Sequence, residues 1–194
     1  MQTRHLYPAA IATILLTACA TAPSPEQRAA YTEEARATVN QLAQTLGGEL
    51  KTAMKEAGPE QAILVCKERA PRIAAAISAE KGVKVSRVSF KNRNPKSVPD
   101  AWESQVLHDF EQRLAKGASA ADLEYGEVVQ EGGAKSFRYM KGLVAQGVCM
   151  TCHGTLETIP EGVKARLATE YPNDQATGYL PNMLRGAVSL KKPL

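Results

Sequence analysis

The sequence predicts an α+β fold in which helices come first and strands follow. Residues 25–58 form an amphipathic helical segment whose apolar side chains recur along one face: Leu42, Leu46, Leu50 and Met54. Further on, residues 82–90 (GVKVSRVSF) alternate as a strand does. Residues 123–144 are typical of a β-hairpin that turns at Gly132-Gly133. A helical bundle would not need that hairpin, so we expect an antiparallel sheet beside the helices.

A second helix is predicted after Gly58-Pro59, because proline is favoured at the first position of a helix. Pro71 lacks a backbone N–H and should break or kink this helix. The helical pattern then continues to Gly82, where a glycine is a common stop signal.

A third helix and a last strand complete the expected order of elements. Asp100 is a suitable N-cap for the helix that follows it. The helix has apolar side chains at helical spacing: Trp102, Val106, Phe110 and Leu114. Residues 185–193 (RGAVSLKKP) are predicted to form the final strand.

The N-terminus has the pattern of an export signal. Its apolar run, residues 7–16, is too short to span a bilayer. Residues 16–19 (LTAC) resemble a bacterial lipobox, in which the signal is cut before the cysteine and the thiol is acylated. An ordinary secretory signal with an incidental Cys19 is the alternative. The lipoprotein interpretation divides the chain into a signal peptide (residues 1–18), a lipid-anchored tether (19–30) and one domain (31–194).

Both interpretations place the mature protein outside the cytoplasm. Ala20 follows Cys19, where an Asp would be the usual signal for retention in the inner membrane. We therefore expect a periplasmic protein that is held at the outer membrane by lipid alone, since each buried methylene contributes about 0.8 kcal/mol.

Composition argues against several classes of function. The net charge is +4, and the basic residues are scattered without interleaved aromatics, so no nucleic-acid partner is predicted. The sequence has no evident Ser-His-Asp set, phosphate loop or spaced carboxylate pair. We therefore expect a binding protein and not an enzyme.

The most informative motif is Cys149-Met150-Thr151-Cys152-His153. A redox dithiol would need a surrounding βαβ pattern, which is missing here. A zinc site needs about four N or S ligands and would have to recruit Cys66 at irregular spacing. Cys-x-x-Cys-His is also the attachment motif of c-type haem, in which two thioethers form and the His reaches the iron. An exported protein with this motif is expected to carry one covalent haem c and to depend on haem maturation machinery.

The second axial ligand has several candidates. His108 falls on the flank of a helix and is more typical of a surface histidine. Three methionines were considered: Met140, Met150 and Met183. Met183 is the strongest of them, although cytochromes with a downstream Met usually carry the haem motif near the N-terminus. Cys66 lies on an apolar helix face, where a free Cys is commonly a small buried hydrophobe. An unpaired thiol is unusual in an oxidising compartment, however, which favours a functional role.

Several segments together resemble the Tll-like family of exported haem c domains. They are AILVCKERAPRIA, VSRVSFKNRNPKSVPDAWE, CMTCHG and LRGAVSL, in order across about residues 30–191. The resemblance implies a PAS-like fold around the haem and iron ligation by His153 and Cys66. It also implies a sensor of redox state or of a diatomic gas.

The loop at Arg93-Asn94 has two interpretations. It is either a charged turn before Pro95 or a clamp for the haem propionates, since a guanidinium gives paired charge-assisted hydrogen bonds. The resemblance favours the clamp, because Lys91, Arg93, Asn94 and Pro95 match the family pattern. Arg185 is a weaker candidate of the same kind.

The function expected from the sequence is that of a redox or NO/CO sensor with His/Cys-ligated iron. The alternative is a periplasmic electron-transfer cytochrome c with His/Met or His/Cys ligation. Either function needs a redox or signalling protein as partner, which the sequence does not identify.

Overall fold

A computed structural model describes residues 22–194, so the signal peptide and the lipid-anchor candidate Cys19 lie outside the described part. The helices are α1 (Pro25–Leu64), α2 (Ala70–Lys81), α3 (Ala101–Ala115), α4 (Met150–His153) and α5 (Glu161–Glu170). The strands are β1 (Lys84–Val88), β2 (Glu124–Glu131), β3 (Ala134–Val144) and β4 (Leu184–Pro193). Within residues 22–194, no helix combines the length and the apolar character needed to cross a membrane.

Helix α1 begins at Pro25, where the sequence pattern predicted the first helical segment. Ser24 is its N-cap and forms a capping box with Gln27, so that Pro25 is already helical. The segment predicted as a tether, residues 19–30, therefore contains the first turns of α1.

Two interruptions divide the helical region, both near predicted positions. Gly58 has φ 81° and ψ 173°, which is not helical, and Pro59 restarts the helix. Residues Val65–Arg69 form a π-turn, in which the Ala70 N–H donates to the Val65 carbonyl oxygen. The break predicted at Pro71 is thus a π-turn that ends just before it.

The four strands form one antiparallel sheet in the order β1-β4-β3-β2. The hairpin between β2 and β3 turns at Gly132 and Gly133, both with positive φ, as the sequence predicted. Strand β4 lies between β1 and β3, with Leu190 opposite both Val85 and Tyr139. The register slips once, between Leu143 and Val144, at the end of β3.

The sheet is covered on both faces. Alternate residues of β3 point to opposite sides, so that Tyr139 packs with α1 and α2 while Met140 packs with α3. Asp100 caps α3 as predicted and shares a capping box with Glu103. The end of β1, the start of β4 and the end of β3 meet at one end of the sheet, where a cavity opens.

Candidate functional site

The cavity has a volume of about 350 Å³, which lies within the roughly 300–1000 Å³ of a typical small-ligand pocket. The helical wall consists of Leu50, Met54, Ala62, Ile63 and Cys66. The motif wall consists of Val148, Cys149, Cys152 and His153. The polar lining consists of Arg87, Ser89, Asn92, Arg93, Asn94, Ser97 and Arg185. Every protein ligand predicted for the haem within the described residues therefore borders one space.

The Cys-x-x-Cys-His motif forms a tight helical turn. Gly147 has a positive φ of 34°, and the Cys149 N–H donates to the Gln146 carbonyl oxygen at 2.7 Å. Helix α4 then brings both cysteines to the cavity wall. At Gly154 a Cβ would lie 2.6 Å from the Met150 carbonyl oxygen, so the chain leaves the motif through a space that only glycine fits.

His153 is oriented by the backbone. Its Nδ1 lies 2.7 Å from the carbonyl oxygen of Ala176 and 3.3 Å from Nε of Arg185. A carbonyl accepts only, so the shorter contact assigns the proton to Nδ1 and leaves the Arg185 contact without a hydrogen bond. Burial, with further contributions from Arg185 and Arg93, holds the pKa of His153 well below its usual value. The ring is therefore neutral, and Nε2 carries the free lone pair, as a metal-binding imidazole requires.

The Arg93 side chain is held by hydrogen bonds within the protein. Its Nε donates to Asp174 at 3.0 Å, and one terminal nitrogen donates to the Cys152 carbonyl oxygen at 2.5 Å and to the Ala176 carbonyl oxygen at 3.3 Å. The side chain is buried. Arg93 therefore links the Cys-x-x-Cys-His motif to residues 174–176, whose last carbonyl orients His153. Its second terminal nitrogen makes no hydrogen bond to residues 22–194, so a propionate contact from this side chain stays a prediction.

Asn94 also has a local role. Its Oδ1 accepts a hydrogen bond from the Lys96 N–H at 2.9 Å and so caps a short 3₁₀ turn at Pro95–Ser97. Asn94 borders the cavity. The predicted contact between Asn94 and a propionate is not tested by this arrangement.

Arg87 and Arg185 add positive charge to the lining. Arg185 donates to Ser89 Oγ at 3.0 Å and packs over the ring of Tyr179. Arg87 was not singled out from the sequence, and among the described residues its guanidinium has neither a hydrogen bond nor an ion pair. Of the described residues that border the cavity, none is an Asp or a Glu. The lining is therefore cationic: among the described residues Arg185 has hydrogen-bond partners but no carboxylate partner, and Arg87 has neither.

Cys66 borders the cavity from within the π-turn. Two ion pairs flank it, Lys67 to Glu170 of α5 at 2.6 Å and Arg69 to Glu49 of α1 at 2.8 Å.

The other axial candidates lie elsewhere. His108 is 65% exposed, pairs with Glu111 and stacks on Phe90. Met140 is buried in the core under α3. Met183 is partly exposed and its sulfur accepts a hydrogen bond from the Leu180 N–H. A methionine that the sequence analysis did not consider as a ligand, Met54, does border the cavity.

A metal site independent of haem finds no support in the described residues. Between residues 22 and 194, no three or more His, Cys, Asp or Glu side chains are grouped as a metal site requires.

Comparisons with known proteins agree with one another. A family model described as Tll0287-like matches residues 24–193. A solved structure described as the cyanobacterial heme-protein Tll0287 matches with a TM-score of 0.64 and 24% identity. The match covers 88% of this chain and 97% of that chain, which confirms the α+β fold. No curated protein sequence matches.

Proposed function

Because this chain belongs to the Tll0287-like family, we propose that its cavity holds one haem c, bound through Cys149 and Cys152. His153 and Cys66 are the proposed axial ligands. The proposed role is that of a non-enzymatic redox or diatomic-gas sensor on the periplasmic side of a bacterial membrane, anchored by lipid on Cys19. The haem supplies a one-electron iron centre.

The observation that carries this proposal is the arrangement of the motif. The contact between His153 Nδ1 and the Ala176 carbonyl oxygen fixes the imidazole with Nε2 available. Both motif thiols border the same cavity. A ring held in this way presents a neutral nitrogen ligand, and the thiols provide the two points of covalent attachment.

The cationic lining supports a ligand with carboxylates. We assign Arg87 to the propionates first, since its charge has no partner among the described residues, and Arg185 second, since it borders the cavity but is shared with Ser89. Both side chains are half-buried, and a carboxylate would give either cation a charge-assisted hydrogen bond.

Cys66 supplies the switch in the sensor hypothesis. A thiolate ligand would favour ferric iron, so an external one-electron donor that reduced the iron would weaken its bond to Cys66. Cys66, protonated once by solvent, would then be released, and the free position could bind NO or CO. The sensor hypothesis also requires a protein partner that responds to the release of Cys66.

The alternative is an electron carrier that keeps both ligands. The ion pairs of Lys67 and Arg69, which follow Cys66 in the same π-turn, favour it, because they link this turn to α5 and to α1. A six-coordinate ferrous spectrum that CO leaves unchanged would establish the carrier and exclude the sensor.

The primary test is retention of haem. Protein matured in a host that makes c-type cytochromes should keep its haem through acid–acetone extraction and denaturing electrophoresis. A Cys149→Ala/Cys152→Ala variant should yield extractable haem or apoprotein, since no thioether can form. Haem that leaves the unmodified protein on extraction would exclude covalent attachment.

A further inference from the structure

The helix that carries Cys66 changes the direction of its apolar face at the π-turn. Before the turn, Ala62 and Ile63 border the cavity, and Ile63 packs against α5. After the turn, the buried side chains pack with the sheet core instead: Ala70, Ile73 and Ile77. In an unbroken α-helix all of these positions would share one face with Cys66, because they are three or four residues apart.

The π-turn resolves this conflict. It inserts one residue into the helical register, which corresponds to a rotation of roughly 100° for 3.6 residues per turn. The face before the turn can therefore look into the cavity while the face after it packs on the sheet. Cys66 borders the cavity together with Ala62 and Ile63, as members of the first face do.

Pro71 is placed to cause the π-turn. In an α-helix its position would donate to the Lys67 carbonyl oxygen, but proline has no N–H and its ring would collide with that oxygen. In the structure the register has already changed, since Ala70 donates to Val65, five residues back. The Pro71 side chain is exposed, so it contributes no core contact that would otherwise explain it.

We infer that Pro71 is a positioning residue for the iron: it imposes the π-turn that directs the Cys66 sulfur into the cavity. This inference rests on the proposed ligation by Cys66. The flanking ion pairs involve partly exposed side chains and are worth little by themselves, so the backbone effect of Pro71 dominates.

The experiment is a Pro71→Ala substitution in the full haem-loaded protein. It restores the N–H and lets the helix return to α register. We expect partial loss of the ferric thiolate charge-transfer band and a rise in midpoint potential, both intermediate between wild type and Cys66→Ala. Haem content should not fall, because His153 and both motif cysteines are unchanged. The melting temperature does not decide the outcome, since alanine favours helix while a return to α register turns one apolar face away from its packing surface. Pro59→Ala is the matched control, since the N–H at a first helical position has no helical partner.

The outcomes distinguish the role of Pro71 from the ligation of the iron by Cys66. A wild-type spectrum and potential in Pro71→Ala, alongside a changed Cys66→Ala, would overturn the role of Pro71 and leave Cys66 as ligand. An unchanged Cys66→Ala would overturn the proposed ligation itself. Should Pro71→Ala not accumulate, Pro71→Ser also restores the N–H and is judged by the same two readouts.

Discussion

The guanidinium of Arg93 donates to the carbonyl oxygen of Cys152 at 2.5 Å, although the two residues are 59 positions apart in the chain. The same side chain pairs with Asp174, next to the segment whose carbonyl orients His153. The loop after β1 therefore holds the attachment motif in place through protein contacts alone.

Replacing Arg93 by Ala should destabilise the domain. Asp174 is only 11% exposed and would lose its charge partner, and breaking a buried pair from one side costs about 3 to 5 kcal/mol. Chemical denaturation of the haem-loaded protein measures this loss. Arg93→Ala/Asp174→Asn should recover part of it, because no buried charge is left unpaired. If Arg93→Ala were as stable as wild type, the proposed structural role of Arg93 would be contradicted.

Removal of Cys66 also tests the role of Met54. In Cys66→Ala the ferric state loses an anionic ligand, so the midpoint potential should rise and the thiolate charge-transfer band should disappear. Ferrous protein should bind CO readily, as seen by ultraviolet–visible titration. If the iron of Cys66→Ala instead stays six-coordinate, the Met54 thioether is a candidate for the sixth ligand, because it borders the same cavity. The double variant Cys66→Ala/Met54→Ala tests this substitution of ligands. A ferric spectrum unchanged by the loss of Cys66 would contradict the proposed ligation.

Arg87→Gln should lower the midpoint potential. A cation next to the haem stabilises the reduced state, which carries one negative charge more, and the substitution removes that cation at nearly constant volume. Spectroelectrochemical titration measures the shift. Arg72→Gln, on the exposed side of α2, is the matched control and should leave the potential unchanged. Equal midpoint potentials for Arg87→Gln and wild type would contradict the assignment of Arg87 to the propionates.

Glu124 should make the domain sensitive to acid. Hydrogen bonding from Arg36, aided by Tyr139, lowers the pKa of Glu124 from 4.5 to about 2 despite partial burial. A depressed pKa means that the unfolded state binds the proton more readily, so this contribution is complete above about pH 4.5 and is lost as pH falls toward 2. Glu124→Gln should therefore melt at a temperature that depends less on pH across this window. The exposed Glu56→Gln should retain the wild-type slope, and a Glu124→Gln slope equal to it would contradict the prediction.

Cys19→Ser should release the protein from membranes or leave it uncleaved, since lipid on Cys19 is the membrane attachment that we propose. Fractionation and mass spectrometry of the mature N-terminus provide the measurement. An unmodified, soluble wild-type protein would contradict the lipid anchor.

Local patterns made most of the architecture predictable. The hairpin at Gly132-Gly133 and the cap at Asp100 depend on neighbours in sequence, and the structure places both as expected. Cys66 and His153 were predicted as a pair only through family resemblance, and the structure brings both to one cavity.

The missed features depend on contacts across the fold. Arg87 lies on the same face of β1 as Val85, but periodicity cannot show that this end of the strand opens onto a cavity. The sequence suggested that Arg93 was free to bind the haem propionates, because its partner Asp174 lies 81 residues away in the chain. Pro71 indicated a break, but local patterns do not show that the break is a π-turn between two helical faces that pack on different surfaces.

The early start of α1 restricts where the protein can meet its partners. With lipid on Cys19 and helix from Pro25, six residues join the membrane to the domain, and they reach at most roughly 20 Å. The part of α1 before Gly58 is itself roughly 50 Å long at 1.5 Å per residue. A lipid on Cys19 would therefore hold the domain closer to the bilayer than the length of its first helix. We would then expect the partner to be one that diffuses along the membrane surface.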